Sequence, residues 1–404
     1  MDSAERVEYE PVSVKELLAE MKDTAELLID LSYSAVLLRS NAVAEEVLEL
    51  ESRMDLLQLR ARMSLLMAAR NPDDAEALAP VLGIVGAAEK ISDAAGDIAK
   101  VVLEDVGLPE AMRAALPESV ETLVRVKIDP DSPLVGDALA TSNLETETGV
   151  RVIAIRRTGD WLTDPDGETV LRGGDVALLR GPEIGVTGVY EELSGEPYEP
   201  LEPPSEPSAD LERAMDSVVL MKDVSELAVD LAYGAVLFDD DALAEEVLDL
   251  EAEVDALQSR FEAWTLRAAA DVDDPVSLRG LVHLAAATEV ISDAALEISE
   301  GVLRGLDSHP VIHEAVLESD EIIARYAAGE GSRLAGRTLG DVAVKTETGM
   351  RVIAVRRNDE SRAPTGKEAG WVVSPGSETK LDAGDVLIAK GTRTGAERMV
   401  ELTE

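Results

Sequence analysis

The sequence contains no cysteine, few aromatic residues and few basic ones. Without cysteine, the chain has neither disulfides nor thiolate metal sites nor a cysteine nucleophile. No stretch approaches the roughly 18 uncharged apolar residues of a membrane-spanning helix. The longest uncharged run, Ala77–Ala88, contains a proline and two glycines. The N-terminus lacks the basic and apolar parts of a signal peptide, so we expect a soluble cytoplasmic protein with no membrane span.

Positive charge is also scarce. The chain has 82 acidic and 37 basic residues, a net charge of −45, and arginine outnumbers lysine 27 to 10. So many carboxylates repel one another at ordinary ionic strength, whereas 1 M salt shortens the screening length to about 3 Å. Because the acid is spread along the whole chain, we expect a halophilic protein. The alternative is an acidic protein that binds cations or basic partners, and the sign of the charge argues against nucleic acid.

The most informative feature present is an internal repeat with an offset of 200 residues. Residues Met21–Tyr33 recur at Met221–Tyr233, and Thr146–Arg157 recurs at Thr346–Arg357. A tandem copy of this regularity predicts a pseudo-twofold arrangement, with an interface or a site near the axis. The repeat also acts as a filter, because a residue present in both copies is a stronger functional candidate than a residue present in one.

Each repeat begins with a helical half. Apolar residues at Leu17, Met21, Leu28 and Leu31 follow the spacing of an amphipathic helix, and two similar patterns come after it. Asn71-Pro72 marks the boundary between the second and third helices. Three helices joined by short turns predict an antiparallel bundle. We expect the bundles of the two repeats to pack together and the two strand-containing halves to pair about the same axis.

The second half of each repeat changes to a strand-like period. A short helix is predicted from Ser132-Pro133 to about Ala140, with Ser at the N-cap and Pro at the first helical position. Gly173–Asp175 is predicted as a turn. The second copy carries an insertion, Ser361–Gly370. The predicted strand segments of the first copy are Val120–Ile128, Val150–Ile155, Trp161-Leu162, Val170-Leu171 and Val176–Leu179.

The predicted fold class is therefore α+β, with two repeats that each place a small α/β domain after an antiparallel three-helix bundle. We place the helical domains at 11–116 and 211–316. The α/β domains follow at 117–193 and 317–404. The segment 194–210 is rich in proline and acid, which predicts an extended linker.

Paired carboxylates on the helices are the first candidate site. Residues four apart share a helix face, so pairs from two adjacent helices can converge on a hard cation such as Mg²⁺. The alternative is a solvated acidic face, which this composition produces throughout. The candidate metal ligands are Glu51, Asp55, Glu89 and Asp93, with Glu251, Asp255, Glu289 and Asp293 in the second copy.

An arginine cluster is the second candidate site. Arg151, Arg156 and Arg157 lie in a nine-residue window without acid, and Arg351, Arg356 and Arg357 repeat it. Guanidinium groups grip phosphate bidentately, which predicts a small anionic ligand. Strand alternation places Arg151 and Arg157 on one face and Arg156 on the other. The alternative is that these arginines pair with surface carboxylates or complete a domain interface.

The histidines are weaker candidates. His309 and His313 lack counterparts in the first copy, and with His283 we interpret them as structural. No Ser-His-Asp arrangement, phosphate loop or repeated acid–base histidine is present, so we expect no enzyme.

The strand-containing half resembles the TrkA C-terminal (RCK C-terminal) domain, the ligand-sensing module of potassium-transport regulators. The matching features are Ser132–Gly136 and Ser332–Gly336, the Gly-x-Arg-Val-Ile-Ala strand, and Gly-Asp before the last strand. Some members of this family bind cyclic di-AMP. The resemblance implies a cyclic di-AMP pocket lined by Ile153, Ile155, Arg156 and Pro165, with Ile353, Val355, Arg356 and Pro375 in the second copy.

The helical half resembles a PhoU domain, on the stretches Val47–Leu57 and Ala88–Ala99. PhoU proteins bind metal clusters through Glu-x-x-x-Asp pairs at these places, although Ser92 and Ser292 replace a glycine of their motif. Together with the acidic composition, the resemblance implies a cation-transport regulator of the halophilic archaeal type. Potassium regulators usually carry a nucleotide-binding Rossmann domain before the TrkA C-terminal module. No Gly-x-Gly-x-x-Gly follows a strand here, so neither NAD nor ATP is expected as a cofactor.

The resemblance implies a non-enzymatic cytoplasmic regulatory subunit. It would sense a small ligand or cation and control a membrane potassium or magnesium transporter or channel at the inner face of the membrane. The alternative function is a PhoU-type regulator of phosphate uptake and signalling, and a third class is a metal-storing or scaffold protein. A homo-oligomer is left open by the sequence.

Overall fold

A computed structural model confirms the predicted fold class, with a helical half and a strand-containing half in each repeat. The predicted insertion Ser361–Gly370 and most of the predicted linker lie outside the described residues. The structure describes residues 13–37, 39–109, 122–142, 144, 148–162, 165, 167–198, 208–272, 274–305, 310–318, 322–358 and 371–403.

Three long helices form the first bundle, as predicted. Ser40 caps the second helix by accepting a hydrogen bond from the Val43 N–H. Asn71 caps the third, with Pro72 at its first position, so the predicted boundary is confirmed. All three helices pack against one another. They are α1 (Val14–Leu37), α2 (Asn41–Ala68) and α3 (Pro72–Leu103).

The first α/β domain contains one four-stranded antiparallel sheet. Its strand order is β1-β4-β2-β3, and its last helix packs against β1 and β4. The elements are β1 (Thr122–Lys127), α4 (Leu139–Ser142), β2 (Arg151–Arg157), β3 (Asp160–Leu162), β4 (Val176–Gly181) and α5 (Glu183–Ser194).

The second repeat has the same plan. Asp240 replaces Ser40 as the cap of the second helix, and a short 3₁₀ helix, Pro275–Leu278, precedes the third. Its sheet has the order β5-β8-β6-β7. The elements are α6 (Ala209–Phe238), α7 (Asp241–Ala268), α8 (Arg279–Leu303), α9 (Pro310–Glu318), β5 (Ile322–Ala327), α10 (Leu339–Val342), α11 (Val344–Thr348), β6 (Arg351–Arg356), β7 (Trp371–Val373), β8 (Val386–Gly391) and α12 (Arg393–Thr403).

Two sequence predictions in the α/β domains are wrong, and two helices were missed. The segment after Ser132 forms turns instead of a helix reaching Ala140, because Gly136 has a φ of 94°, outside the helical region. Val170-Leu171 is not a strand, since Val170 makes only an isolated bridge with Ala138. The terminal helices α5 and α12 were not predicted. Their apolar residues, such as Val186 and Val189, pack on the sheet, and this packing stabilises the helices.

The two repeats pack together through their third helices. α3 and α8 lie side by side, and the Lys90 ammonium of the first repeat is 2.6 Å from Glu297 of the second. Helix α9 of the second repeat also packs against α1 of the first. The prediction that the helical halves pack together is therefore confirmed.

One continuous apolar core joins both bundles to the helix-facing side of each sheet. Two smaller cores lie on the other faces of the sheets, beneath α5 and α12. Among the described residues the two sheets are separate, and each of them packs on its own repeat's helices. The prediction that the strand-containing halves pair with each other is therefore wrong, because the apolar face of each sheet is covered by its own bundle. Each α/β domain is thus held between a bundle and its own terminal helix, which places the strand arginines at a domain interface.

Candidate functional sites

A β-bulge in the arginine-bearing strand decides which side chains face the helices. In β2, Val152 pairs with Leu179 and Ala154 with Leu178, so Ile153 is an extra residue. The bulge is repeated in β6 between Val352 and Ala354. An extra residue shifts the alternation of the strand, so side chains beyond it change faces.

The bulge separates the predicted apolar pocket residues. Ile153 packs on the helical core, whereas Ile155 is fully buried in the core on the other face of the sheet. Ile353 and Val355 are divided in the same way. The structure therefore does not bring these pairs together in one pocket, and the ligand-binding set stays a prediction.

The predicted arrangement of the arginines is also wrong, for the same reason. Arg351 and Arg356 both face the helices of the second repeat, where they contact Asp230 and Asp240. Arg357 instead contacts Asp385, at the turn before β8. The alternation predicted for Arg151, Arg156 and Arg157 assumed a strand without a bulge, and the same pattern applied to the second copy would place Arg351 and Arg357 on one face.

Arg156 fastens the first sheet to the start of α2. Its guanidinium lies 2.8 Å from Glu46 and 3.1 Å from Glu49. Arg125 of β1 reaches the same Glu46 at 2.7 Å. The Glu46 side chain is only 2% exposed. A buried carboxylate needs such partners, because an unpaired charge in this position costs several kcal/mol.

Arg356 occupies the equivalent place in the second repeat. It lies 3.6 Å from Asp240, with its guanidinium 5.2 Å from the centroid of the Trp371 ring. Arg325 of β5 also pairs with Asp240. Asp240 caps α7 by accepting the Leu243 N–H at 3.1 Å. In both repeats, two sheet arginines therefore converge on one acidic residue near the start of the second bundle helix.

Arg157 and Arg357 serve the α/β domains themselves. Asp175 accepts two hydrogen bonds from Arg157, at 3.0 and 2.7 Å, and one from the Arg172 N–H. Asp385 accepts one hydrogen bond from Arg357, at 2.8 Å, and one from the Asp382 N–H. The Gly-Asp motif before the last strand thus anchors the final arginine of the central strand. The remaining pocket candidates, Pro165 and Pro375, are half-buried.

The carboxylate pairs of α2 and α3 are close together but partly neutralised. Lys100 lies 3.6 Å from Glu51 and 3.1 Å from Asp97, and Arg62 lies 3.5 Å from Glu89. Burial raises the pKa of Glu51, and the charges of Asp93 and Asp55 add to this while Lys100 opposes it. The pKa of Asp93 is raised by burial and by Glu89 and Asp55.

The equivalent pairs of α7 and α8 lack these counter-charges. The second repeat has Glu262 and Glu300 in place of Arg62 and Lys100. Burial raises the pKa of Glu251, and Asp255, Asp293 and Glu289 all raise it further. Burial and Asp255 likewise raise the pKa of Asp293, opposed by Lys90 from the first repeat. Gln258 donates to Glu289 at 3.3 Å.

Glu51 and Glu251 cannot lie in equivalent positions. Glu51 rests on Gly96, where a Cβ atom would come within 2.4 Å of its carboxylate. Leu296 stands at this position in the second repeat. Throughout the described ranges, no three acidic or histidine side chains are gathered as a ligand set for a metal ion. The carboxylate oxygens are of the kind that Mg²⁺ binds, and the metal site stays a prediction.

Replacing Glu251 with glutamine should stabilise the second bundle at neutral pH and low salt. A raised folded-state pKa means that folding is penalised while Glu251 is ionised, so wild-type stability recovers as pH falls through the folded pKa towards the unfolded value. The substitution should therefore raise the free energy of unfolding by less than about 1 kcal/mol, because solvent screens the partly exposed carboxylate. This gain should shrink as pH falls towards the unfolded-state pKa, and it should also shrink in 1 M salt. Thermal unfolding at several pH values measures it.

Glu51→Gln is the matched control, because Lys100 already compensates Glu51. It should give a smaller gain or a loss at pH 7. Equal gains from the two substitutions, or a Glu251→Gln gain that salt leaves unchanged, would contradict the difference in charge between the clusters.

The histidines do not converge. His283 is exposed on α8. His309 lies outside the described residues, and the side chain of His313 is not described. Their structural interpretation stays a prediction.

A buried polar network between α1 and α6 was missed by the sequence reasoning, although its residues recur in both copies. Lys22 is 2% exposed and lies 2.9 Å from Glu26, while Lys222 lies 2.7 Å from Glu226. The Lys22 ammonium also lies 5.6 Å from the centroid of the Tyr233 ring, across the boundary between the repeats. The recurrence of lysine and glutamate four residues apart, inside a helix with an apolar face, was the available signal.

The tyrosines of this network differ between the repeats. The Tyr33 hydroxyl is hydrogen-bonded to Thr288 of the second repeat at 2.5 Å. Ala88 takes the place of Thr288 in the first repeat, and the Tyr233 hydroxyl has no hydrogen-bond partner among the described residues. Burial raises the pKa of both phenols, so neither ionises at neutral pH.

Comparison with known proteins agrees with the division into two kinds of domain. The PhoU domain model matches residues 18–102 and 218–302, and the TrkA-C domain model matches residues 123–193 and 323–403. Both are regulatory domain families. In the described portion of the chain, no helix combines the length and apolar character that crossing a membrane requires.

Two curated relatives from Bacillus subtilis match about a quarter of the chain. The uncharacterized protein YrvC is 28% identical over 110 residues, which are 27% of this chain and 61% of that protein. The K(+)/H(+) antiporter subunit KhtT is 24% identical over 119 residues, which are 28% of this chain and 67% of that protein. The chain thus spans about two thirds of the length of these relatives.

Comparison with solved structures gives matches with TM-scores below 0.5. PhoU from Pseudomonas aeruginosa is 13% identical, with a TM-score of 0.41, over 72% of this chain and 96% of that one. The GsuK channel bound to NAD is 15% identical, with a TM-score of 0.19, over 70% of this chain and 53% of that one. The family models together match most of the chain, and they identify it as a tandem of two PhoU domains and two TrkA-C domains in alternation.

Proposed function

We propose that this chain is a non-enzymatic regulatory subunit that controls a membrane transporter or channel for potassium or magnesium. Two regulatory domain families in one chain, and a relative that is a subunit of a K(+)/H(+) antiporter, support this function. The observation that carries it is the repeated arginine contact between each TrkA-C sheet and its PhoU bundle. A domain that senses a ligand can act on its neighbour through such a contact.

The mechanism is a competition for the interface arginines. Arg156 and Arg356 hold carboxylates of the bundles, and their side chains are still 22% and 35% exposed. An anionic ligand that binds these guanidinium groups displaces Glu46, Glu49 or Asp240 and loosens the sheet from the bundle. The ligand then shifts the population towards the loosened arrangement by its difference in affinity for the two states. The bundles transmit this change to the membrane partner.

A cyclic dinucleotide such as cyclic di-AMP is the proposed ligand. Isothermal titration of the full chain with cyclic di-AMP should show binding that becomes about 100-fold weaker in the Arg156→Ala/Arg356→Ala variant. Two lost charge-assisted hydrogen bonds, each taken at the lower end of its range, about 1.5 kcal/mol, together cost about 3 kcal/mol, which is on the order of 100-fold in affinity. Arg304→Ala, which removes an exposed arginine paired with Glu300 on α8, is the control and should leave binding unchanged. Unchanged affinity in the double variant would exclude these arginines as the site.

Further arms of the same titration test the alternatives. Binding of inorganic phosphate without cyclic di-AMP would favour the runner-up function, regulation of phosphate uptake, which the two PhoU matches support. Binding of NAD or ATP would contradict the expectation that neither is a cofactor. Capture of a cation transporter from membranes, with and without the ligand, tests the regulatory role itself. A metal-storing or scaffold role would be favoured by no ligand response in any arm.

Divalent metal binding is a second proposal, for the α7–α8 cluster in particular. Its carboxylates lack the counter-charges that Lys100 and Arg62 supply in the first repeat. Calorimetry with Mg²⁺ should show binding that Glu289→Gln/Asp293→Asn removes and that Glu89→Gln/Asp93→Asn largely preserves. Equal losses in the two variants would contradict the preference for the second repeat.

A further inference from the structure

One end of the first bundle is poor in acidic residues. Leu56–Pro72, which covers the last turns of α2 and its connection to α3, is the longest stretch of the chain without aspartate or glutamate. The same stretch contains three arginines, Arg60, Arg62 and Arg70. Because the whole chain has a net charge of −45, this stretch is a positive segment in a strongly acidic protein.

Large apolar side chains are exposed on this stretch as well. Leu66 and Met67 are 72% and 61% exposed, and Leu59 is 44% exposed. Leu59 and Leu66 are seven residues apart, so they share one face of α2, about 10 Å apart along its axis. Arg62 lies between them on this face and is 45% exposed. We call this set the α2 stripe, and it consists of Leu59, Arg62, Leu66, Met67 and Arg70.

The corresponding end of the second bundle exposes an apolar side chain but has no excess of positive charge. Leu266 of α7 is 76% exposed, much like Leu66. Residues 256–272 contain two arginines and two acidic residues, so their charges cancel. The two bundle ends therefore allow a comparison within one chain, in which apolar exposure is similar and charge differs.

We infer that the α2 stripe docks on an anionic lipid surface. Arginines beside exposed leucine and methionine fit the boundary between headgroups and acyl chains, where the guanidinium groups meet phosphates and the apolar side chains leave water. The net charge of the chain does not prevent this contact, because at 0.15 M salt charges more than about 8 Å away are largely screened. The acid-free stretch is thus the part of the helical surface whose charge complements such a membrane.

The shape of the stripe favours a lipid surface over a pocket of a partner protein. Leu66 and Met67 project from the end of the bundle, since most of each side chain is exposed. A fluid lipid surface adapts to projecting side chains, whereas a protein must supply a matching cavity. The docking is peripheral and requires neither a membrane-spanning helix nor the transporter proposed above, so it goes beyond the proposed function.

Flotation of the full-length chain with lipid vesicles tests the docking. The chain should bind vesicles that contain phosphatidylglycerol about tenfold more tightly than vesicles of phosphatidylcholine alone. Leu66→Ser/Met67→Ser should weaken this binding about tenfold at both 0.15 M and 1 M salt, because the loss of apolar burial is not screened. Arg62→Gln/Arg70→Gln should weaken it about tenfold at 0.15 M salt and less at 1 M.

Two exposed apolar residues elsewhere provide the controls. Leu266→Ser, at the uncharged end of the second bundle, should weaken vesicle binding by no more than about twofold. Ile184→Ser, which changes a 91% exposed residue of α5 in the first TrkA-C domain, should leave binding unchanged. An equal loss from Leu266→Ser and from Leu66→Ser/Met67→Ser would overturn the assignment to the α2 stripe. Equal binding of the Leu66→Ser/Met67→Ser variant and the parent chain, or no binding to phosphatidylglycerol vesicles, would overturn the docking.

The absence of cysteine allows a second measurement that keeps both leucines in place. A Met67→Cys variant labelled with an environment-sensitive fluorophore should show brighter, blue-shifted emission when phosphatidylglycerol vesicles are added. The same label on an Ile184→Cys variant should not respond. No response at position 67 would overturn the docking, and so would capture of a membrane protein that depends on Leu66 without any response to vesicles. The vesicles contain neither a transporter nor cyclic di-AMP, so a failure of the proposed function is distinguishable from a failure of the docking.

Discussion

Replacing Asp385 with alanine should lower the free energy of unfolding of the second TrkA-C domain by about 3–5 kcal/mol. The Asp385 carboxylate is buried and accepts hydrogen bonds from Arg357 at 2.8 Å and from the N–H groups of Asn358 and Asp382 at 2.9 and 3.0 Å. Alanine leaves a largely buried guanidinium and two backbone donors without these partners. The cost of unpaired buried groups, more than the loss of the contacts themselves, makes the effect large.

Trp371 supplies the measurement for this variant. The chain has three tryptophans, so a background with Trp161→Phe and Trp264→Phe leaves Trp371 as the reporter of the second domain in urea unfolding at fixed salt. Glu347→Ala, which changes an exposed residue of α11, is the control and should stay within about 0.5 kcal/mol of the parent. Asp175→Ala should cause a similar loss in the first domain. A loss below about 1 kcal/mol for Asp385→Ala would show that the carboxylate is not the anchor of this turn.

Replacing Trp371 with alanine should lower the free energy of unfolding by about 3–5 kcal/mol, the usual range for a buried aromatic side chain. Trp371 is 2% exposed and belongs to the core shared by the sheet and the helices. It also carries the Arg356 guanidinium over its ring. The substitution therefore opens a cavity at the domain interface and removes the support of an interface arginine.

The first repeat again provides the matched variant. Trp161 holds the equivalent position in β3 but is only half-buried, so Trp161→Ala should cost less than Trp371→Ala. Urea unfolding followed by circular dichroism compares the two variants in the same chain. Equal losses would mean that the burial of Trp371 does not stabilise the interface more than that of Trp161.

The sequence predicted the helical halves well because their signal is local. The apolar spacing of α1 to α3 and the Asn71-Pro72 cap are properties of consecutive residues, and both are confirmed. Helices α5 and α12 had no such signal. Helix α5 contains two glycines together with β-branched residues, and it depends on packing against β1 and β4 for its stability.

The geometry of the candidate sites could not be predicted from the sequence. The two copies singled out the arginines and the helix carboxylates, which stay candidate site residues. A one-residue bulge at Ile153 then moved Arg156 onto the helices and separated Ile153 from Ile155. A bulge depends on the partner strand, so its position cannot be read from the arginine strand alone. Whether Lys100 neutralises Glu51 likewise depends on distances between two helices.

The contact between α3 and α8 lies within one polypeptide. Two separate chains joined by the same surfaces would come apart on dilution, by mass action, with a melting temperature that depends on protein concentration. Here the linker holds the two halves at an effective concentration of roughly millimolar order whatever the amount of protein in the cell. Each half is then free to change without being matched by an identical copy of itself. Thr288 opposite Ala88, and Lys390 opposite Arg180, are substitutions that an assembly of two identical subunits could not hold in one half alone.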